Sequence, residues 1–289
     1  MIVDAHHHLW DLERNLYPWL RAEPDPEAWV GDVTPIQRSY LVDEYVAESA
    51  PCGVVRSVHV QAEWHPEDPV GETRWLQAVS DRHGFPHAIV GAARLEDPGL
   101  DEVLEAHLAA PNFRGIRQML DRDEGLTLME RSDWQRGLAR LSDYGLSFDL
   151  QVNPDQLVQA AELAGGNPEL VFVLNHCGMP RDRTPEGLEL WRGGIRRLAE
   201  QPNVVAKVSG LGMFDHDWTA ESIRPFVVEM LGAFGVDRCM FGSNFPVDKL
   251  YGSYAELVNA MSLLAGALGP REREAFFHDN AVRVYRLEA

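Results

Sequence analysis

Three histidines stand together near the start of the chain, in MIVDAHHHLW. Imidazole is the side chain that most readily binds a transition metal or moves a proton near neutral pH. His6 and His8 are two residues apart, and on a strand that spacing sets both rings on one face, where they can reach one cation or one substrate. By the same alternation Asp4 shares their face and His7 takes the other. Ile2, Val3 and Ala5 before the run, with Leu9 and Trp10 after it, read as a buried strand rather than an affinity tag. A pair at this spacing also occurs as hydrogen-bonded core histidines, so the motif leaves metal, catalytic and structural roles open.

Polar residues end other apolar runs in the same way. They are His59 and Gln61, Arg117, Asp149 and Gln151, Asn175 and His176, Lys207 and Ser209, and Ser243 and Asn244. Each costs energy in a packed core unless it is paired, so several of them converging point to a site. Arg117 offers a planar guanidinium fork that suits an anionic substrate, and Lys207, on a strand covered on both faces, reads as functional. His59 and Cys177 read as packing residues.

The elements that must position these groups alternate along the chain. Helix-like stretches such as 41–52 and 71–84 precede apolar strands at 53–63, 87–96, 113–120, 146–153, 170–178, 203–212 and 238–246. With the first strand this makes about eight, each with little polar alternation, as parallel strands covered on both faces require. The expected fold is α/β, a (β/α)8 TIM barrel in one domain over residues 1–289, with its site at the C-terminal ends of the strands. Residues 11–40, dense in Pro, Trp and charge, read as a lid in which Trp10, Trp19 and Trp29 wall the site. Two further helices, over 253–269 and 271–287, are expected to pack on the outside of the barrel.

Composition narrows the function classes. With 26 basic against 45 acidic residues the net charge is −19, which repels nucleic acid. Cys52, Cys177 and Cys239 are few and widely spaced, which fits a reducing compartment rather than a disulfide framework. No signal peptide and no apolar run of membrane-spanning length is evident, so a cytoplasmic protein with a small-molecule substrate, no nucleic-acid partner and no membrane partner is expected. The sequence gives no indication of oligomeric state.

The ordered set of Asp4-x-His6-x-His8, His176 in LNHCG, KVSGLG, MFGSNFPVD and the closing FHDNAVRVYRL resembles the lactonase branch of the amidohydrolase superfamily. That branch includes sugar-acid lactonases, pyrone-dicarboxylate lactonases and sulfomuconolactone hydrolases, and the resemblance spans about residues 1–287. It implies a hydrolase in which water attacks the ring carbonyl of a small, anionic lactone. It also implies a divalent metal such as zinc on His6, His8 and His176, although some members work without metal. The fourth family ligand, an aspartate that activates the water, is here Asn244, whose amide cannot accept a proton. His176 or Asp248 then stands in as base, while Gln61, Arg117, Gln151 and Lys207 bind the substrate lactone or carboxylic acid. The alternatives are a metal-dependent carbon–carbon lyase, a decarboxylase of the same superfamily, and a non-catalytic barrel that binds small acids. Loss of the carboxylate at Asn244 implies a metal-poor site.

Overall fold

The computed structural model describes residues 1–287 except 24, 26, 27, 123 and 124. Eight parallel strands follow one another around a barrel: β1 Ile2–His7, β2 Val54–Val60, β3 Ala88–Gly91, β4 Phe113–Ile116, β5 Ser147–Leu150, β6 Phe172–Leu174, β7 Val204–Val208 and β8 Cys239–Phe241. Seven helices fill the crossovers: α1 Val42–Ser49, α2 Gly71–His83, α3 Leu100–Leu108, α4 Ser132–Asp143, α5 Leu157–Gly166, α6 Pro185–Ala199 and α7 Ala220–Phe234. An eighth, α8 Tyr254–Leu264, packs between α7 and α1 and completes the outer ring. β1 meets the chain after β8, where His8 N donates to Phe245 O at 2.7 Å and Asn244 N to His6 O at 2.7 Å. The expected barrel is therefore present.

The strands are short and almost wholly buried because helices cover their outer faces and side chains fill the inside. Val3, Ala5, Val58, Val60, Ala88, Val90, Val173, Val205 and Met240 form the interior layer. The final segment, α9 Pro270–Glu274, a π turn Ala275–Asp279 and α10 Asn280–Tyr285, departs from the expected outside position. It crosses the N-terminal mouth. Asn280 Nδ2 donates to Val236 O at 2.8 Å and Cys239 O at 2.7 Å, just where β8 begins, and Arg114 Nε donates to Tyr285 O at 2.9 Å at the start of β4. Tyr285 is driven inside, where its hydroxyl donates to Asp149 Oδ2 at 3.1 Å.

The alternation expected of β1 breaks. A register shift between Asp4 and His7 inserts a β-bulge. Asp4 consequently turns to the outer face instead of sharing the face of His6 and His8, a correction to the simple period of two. Its Oδ1 accepts from His6 N at 3.1 Å and Ser243 N at 2.8 Å; its Oδ2 accepts from Ser243 Oγ at 2.6 Å, Tyr45 Oη at 3.0 Å and Tyr254 Oη at 2.9 Å. His7 also faces outward and stacks on Tyr45 with ring centroids 4.0 Å apart. His6, one residue past the bulge's first turn, faces inward.

Burial pushes the Asp4 carboxyl above its ordinary pKa, and the donors from Ser243, His6 and Tyr254 oppose that rise. Asp4→Asn puts an NH2 group among donors and is expected to lower the unfolding free energy by about 2–4 kcal/mol, read from urea melts at pH 7. An unchanged midpoint would mean that the carboxylate does not hold the bulge.

Candidate active site

Three imidazoles meet at the rim. The His6 ring centroid lies 5.0 Å from that of His8 and 4.4 Å from that of His176. His176 is brought there by a left-handed turn after β6, in which His176, Cys177, Gly178 and Met179 all have φ between 50° and 70°. Non-glycine residues in this region cost about 1–3 kcal/mol each, and here burial of Cys177 and a 2.7 Å bond from Trp191 Nε1 to its carbonyl hold the turn. Gly210 lies against the His176 ring so closely that a β-carbon there would come within 2.5 Å of Nδ1.

Hydrogen bonds assign the ring protons. His8 Nδ1 lies 2.7 Å from Val60 O, an atom that only accepts, so the proton sits on Nδ1 and Nε2 keeps its lone pair. His6 Nδ1 faces the Lys207 ammonium at 3.5 Å, which favours the lone pair on Nδ1 and the proton on Nε2. His6 Nε2 is buried with no partner among the described residues. His176 Nδ1 lies 3.1 Å from Ser209 Oγ, a hydroxyl able to donate or accept. Burial holds all three rings well below the ordinary imidazole pKa, with Lys207 adding most for His6 and Arg117 for His8 and His176. All three are neutral at pH 7.

A cavity of about 160 Å³ opens onto this cluster and is lined by His8, His176, Asn244, Gln151 and Arg117, with Ala62, Met119, Met213 and Val247. Trp19, Trp29 and Val30 reach it from the lid, whereas Trp10 is fully buried beneath and forms no part of the wall. Of that lid, residues 24, 26 and 27 lie outside the described residues. Trp19 Nε1 donates to Ala62 O at 2.8 Å, and the Arg181 guanidinium stacks 3.9 Å from the Trp29 ring centre.

Arg117 is buried, donating to Gln151 Oε1 at 2.8 Å and to the Gln61 carbonyl, with Nε unpartnered among the described residues. No described carboxylate lies within ion-pair distance of it. The neighbouring cations are already paired, Arg122 with Glu63 at 2.7 Å and Arg181 with Asp121 at 2.6 Å.

Three residues of the expected site do not line this cavity. Lys207 lies beneath His6 inside the barrel, paired with Asp149 at 2.5 Å, where burial lowers its pKa to about 8 against the pull of Asp149. Gln61 stays off this cavity and uses Oε1 to accept from Glu63 N at 2.6 Å. Asp248 stands behind Asn244, its Oδ1 accepting from Asn244 Nδ2 at 2.9 Å, so that Asn244 turns its own Oδ1 toward the cavity. Burial raises Asp248 to about 7. Sequence reading passed over Glu63 and Arg122, although Glu63 follows the apolar run of β2 as the other polar strand ends do.

Residues 3–287 match the family described as amidohydrolase. The chain belongs to that family. It is 45% identical over 294 residues to the uncharacterized protein y4mH of Sinorhizobium fredii, covering 99% of this chain and 98% of that one. It is 30% identical over 298 residues to an L-fucono-1,5-lactonase of Burkholderia multivorans, covering 99% and 96%. A zinc-bound amidohydrolase crystal structure from Burkholderia multivorans superposes with a TM-score of 0.86 at 28% identity, covering 100% of both chains.

The groups gathered at this site fit a cation poorly. His8 is oriented as a metal-binding imidazole would be, but the Lys207 ammonium beside His6 Nδ1 favours a proton on the His6 Nε2. Asn244 supplies no charge. Among the described residues no group of three or more His, Cys, Asp or Glu is arranged to hold a metal ion.

Asn244→Asp would set a second carboxylate against Asp248 at the present 2.9 Å contact, where the pair must share a proton or a cation. The variant is expected to retain more zinc than the native protein after the same soak and desalting, read by elemental analysis. Equal zinc in both would show that residue 244 does not control the metal.

A second expectation concerns stability. Glu72 is buried beside the lid, accepting from Ala62 N at 3.0 Å, and burial raises it to about 8; Asp248 is raised to about 7. Folded carboxyls with raised pKa hold protons that the unfolded chain has released, so their contribution is full below about pH 4 and is lost as pH rises through 7 and 8. The two carboxyls pull unfolding free energy down as pH rises from 5 to 8, while the buried neutral histidines pull it up as pH rises to about 7. The excess of native protein over Glu72→Gln, which isolates the glutamate, should therefore shrink as pH rises across that range. A slope unaffected by the substitution would contradict the assignment.

Proposed function

We propose that this amidohydrolase-family protein hydrolyses a small lactone that carries one carboxylate. The observation that carries the reading is Arg117, a buried guanidinium without a carboxylate partner, in the wall of a cavity that also presents His8, His176 and Asn244. A substrate carboxylate meets the fork and supplies the missing charge. With Arg122 and Arg181 already neutralised, and Glu63 beside them, the site favours a monoanion over a dianion. The lactonase name of the Burkholderia multivorans relative supports the same chemistry.

The residues divide the work as follows from their protons. His8 Nε2, holding a lone pair, takes a proton from water while Asn244 Oδ1 accepts the water's second hydrogen and aims it. His176, with Ser209 donating to Nδ1, presents Nε2–H to the ring carbonyl and stabilises the oxyanion. The tetrahedral intermediate collapses with cleavage of the ring C–O bond. The His8 imidazolium, acidic because burial disfavours its charge, returns the proton to the leaving oxygen.

The test is acid release, followed by a pH indicator, across a panel of carboxylated and neutral lactones; silence on the whole panel would remove the reading. Arg117→Met is expected to raise KM for carboxylated lactones roughly 10- to 100-fold with little change for neutral ones. An equal loss on both would mean that Arg117 supports the fold rather than the substrate.

A further inference from the structure

The catalytic cavity does not end at Arg117. Glu63, Arg117 and Met119 form a common wall with a second cavity of about 810 Å³, held among the loops that follow β2, β3 and β4. Cavities that take small ligands usually measure about 300–1,000 Å³. The catalytic one, at about 160 Å³, falls short of that alone, and the two together fall within it. We propose that the larger cavity is a second substrate subsite, which takes an uncharged apolar or aromatic arm carried on the lactone ring. The inference deepens the lactone reading and rests on it.

The lining decides the chemistry of the arm. Ala92, Ala93, Val103 and Leu128 give an apolar floor. The cations around it are spent: Arg94 pairs with Glu96 at 3.0 Å and Arg131 with Asp133 at 2.7 Å. Gln118, the amide on the floor, is also consumed, accepting from Leu95 N and Trp134 Nε1 and donating to Glu96. Glu67 and Asp97 lie exposed at the rim, in water. Beyond Arg117, which the substrate carboxylate takes, and His65, whose Nδ1 accepts from Glu67 N at 3.1 Å, a charged arm would find no unpaired group there, whereas a hydrocarbon or aryl group loses nothing on entering and leaves water behind. Arg117 stands at the junction of the two cavities. A carboxylate held there fixes the ring on the histidine side and directs the arm to the other.

The experiment compares kcat/KM for a carboxylated δ-lactone and for the same lactone bearing a benzyl group, in the native protein, Ala92→Phe and Val103→Trp. Native protein is expected to prefer the benzyl compound by about tenfold or more. Both variants, filling the second cavity, should lose the preference while hydrolysing the parent lactone about as well as native protein does. No native preference, or a preference that survives in both variants, overturns the subsite. If native protein opens neither lactone, the lactone reading fails, and the subsite is judged by thermal stabilisation with the two corresponding hydroxy acids. Stronger stabilisation by the benzyl acid, lost in Ala92→Phe, supports it; equal stabilisation overturns it.

Discussion

The buried carboxylate of Asp4 is the constraint on which the site rests. Its five donors come from β1 itself, from the turn after β8, and from α1 and α8, so one side chain ties the first strand, the last strand and two outer helices together. A carboxylate can accept this many bonds where a neutral group cannot, and in a dry environment each missing donor would be costly. The same contact fixes the bulge. Because His6 N donates to Asp4, the strand gains a residue and rotates, and His6 turns from the helical shell into the barrel.

Below the rim the barrel carries a second polar device. Lys207, Asp149, Asn175 and Tyr285 form a closed network, with Asn175 Nδ2 donating to Asp149 Oδ1 at 3.0 Å and the tyrosine supplied by the segment that plugs the opposite mouth. The ion pair settles the charge of Lys207 without solvent, and its ammonium selects the His6 tautomer above it. The C-terminal segment thereby bears on chemistry at the far end of the barrel through a chain of hydrogen bonds.

Electrostatics around the cavity follows a pattern of paired and unpaired cations. Arg122, Arg181 and Lys207 each have a carboxylate, and Arg117 has amide and carbonyl partners only. A buried cation held by neutral acceptors retains most of its capacity to attract an anion, which is why this residue, rather than the histidine cluster, points most directly to the substrate. Asn244 and Asp248 form the counterpart on the opposite side. The carboxylate turns the amide so that oxygen, not nitrogen, faces the cavity, an arrangement suited to holding water.

Much of this was legible in the chain alone. Apolar runs alternating with helix-like stretches are enough to give the barrel, because parallel strands sealed on both faces require that pattern, and a polar residue ending such a run must lie at the rim. His8, His176, Arg117, Gln151 and Asn244 were found on that ground, and all line one cavity. Periodicity could not show the bulge that sends Asp4 outward, since a shift of one residue reverses every assignment after it and depends on donors more than 200 residues away, such as Ser243. Nor could it place Lys207 along the barrel: depth on the barrel axis, not face, keeps it off the cavity wall. The residue types were set by sequence. Which proton sits on which imidazole nitrogen, and which cation is left without a carboxylate, were decided only when folding brought distant partners within hydrogen-bond reach.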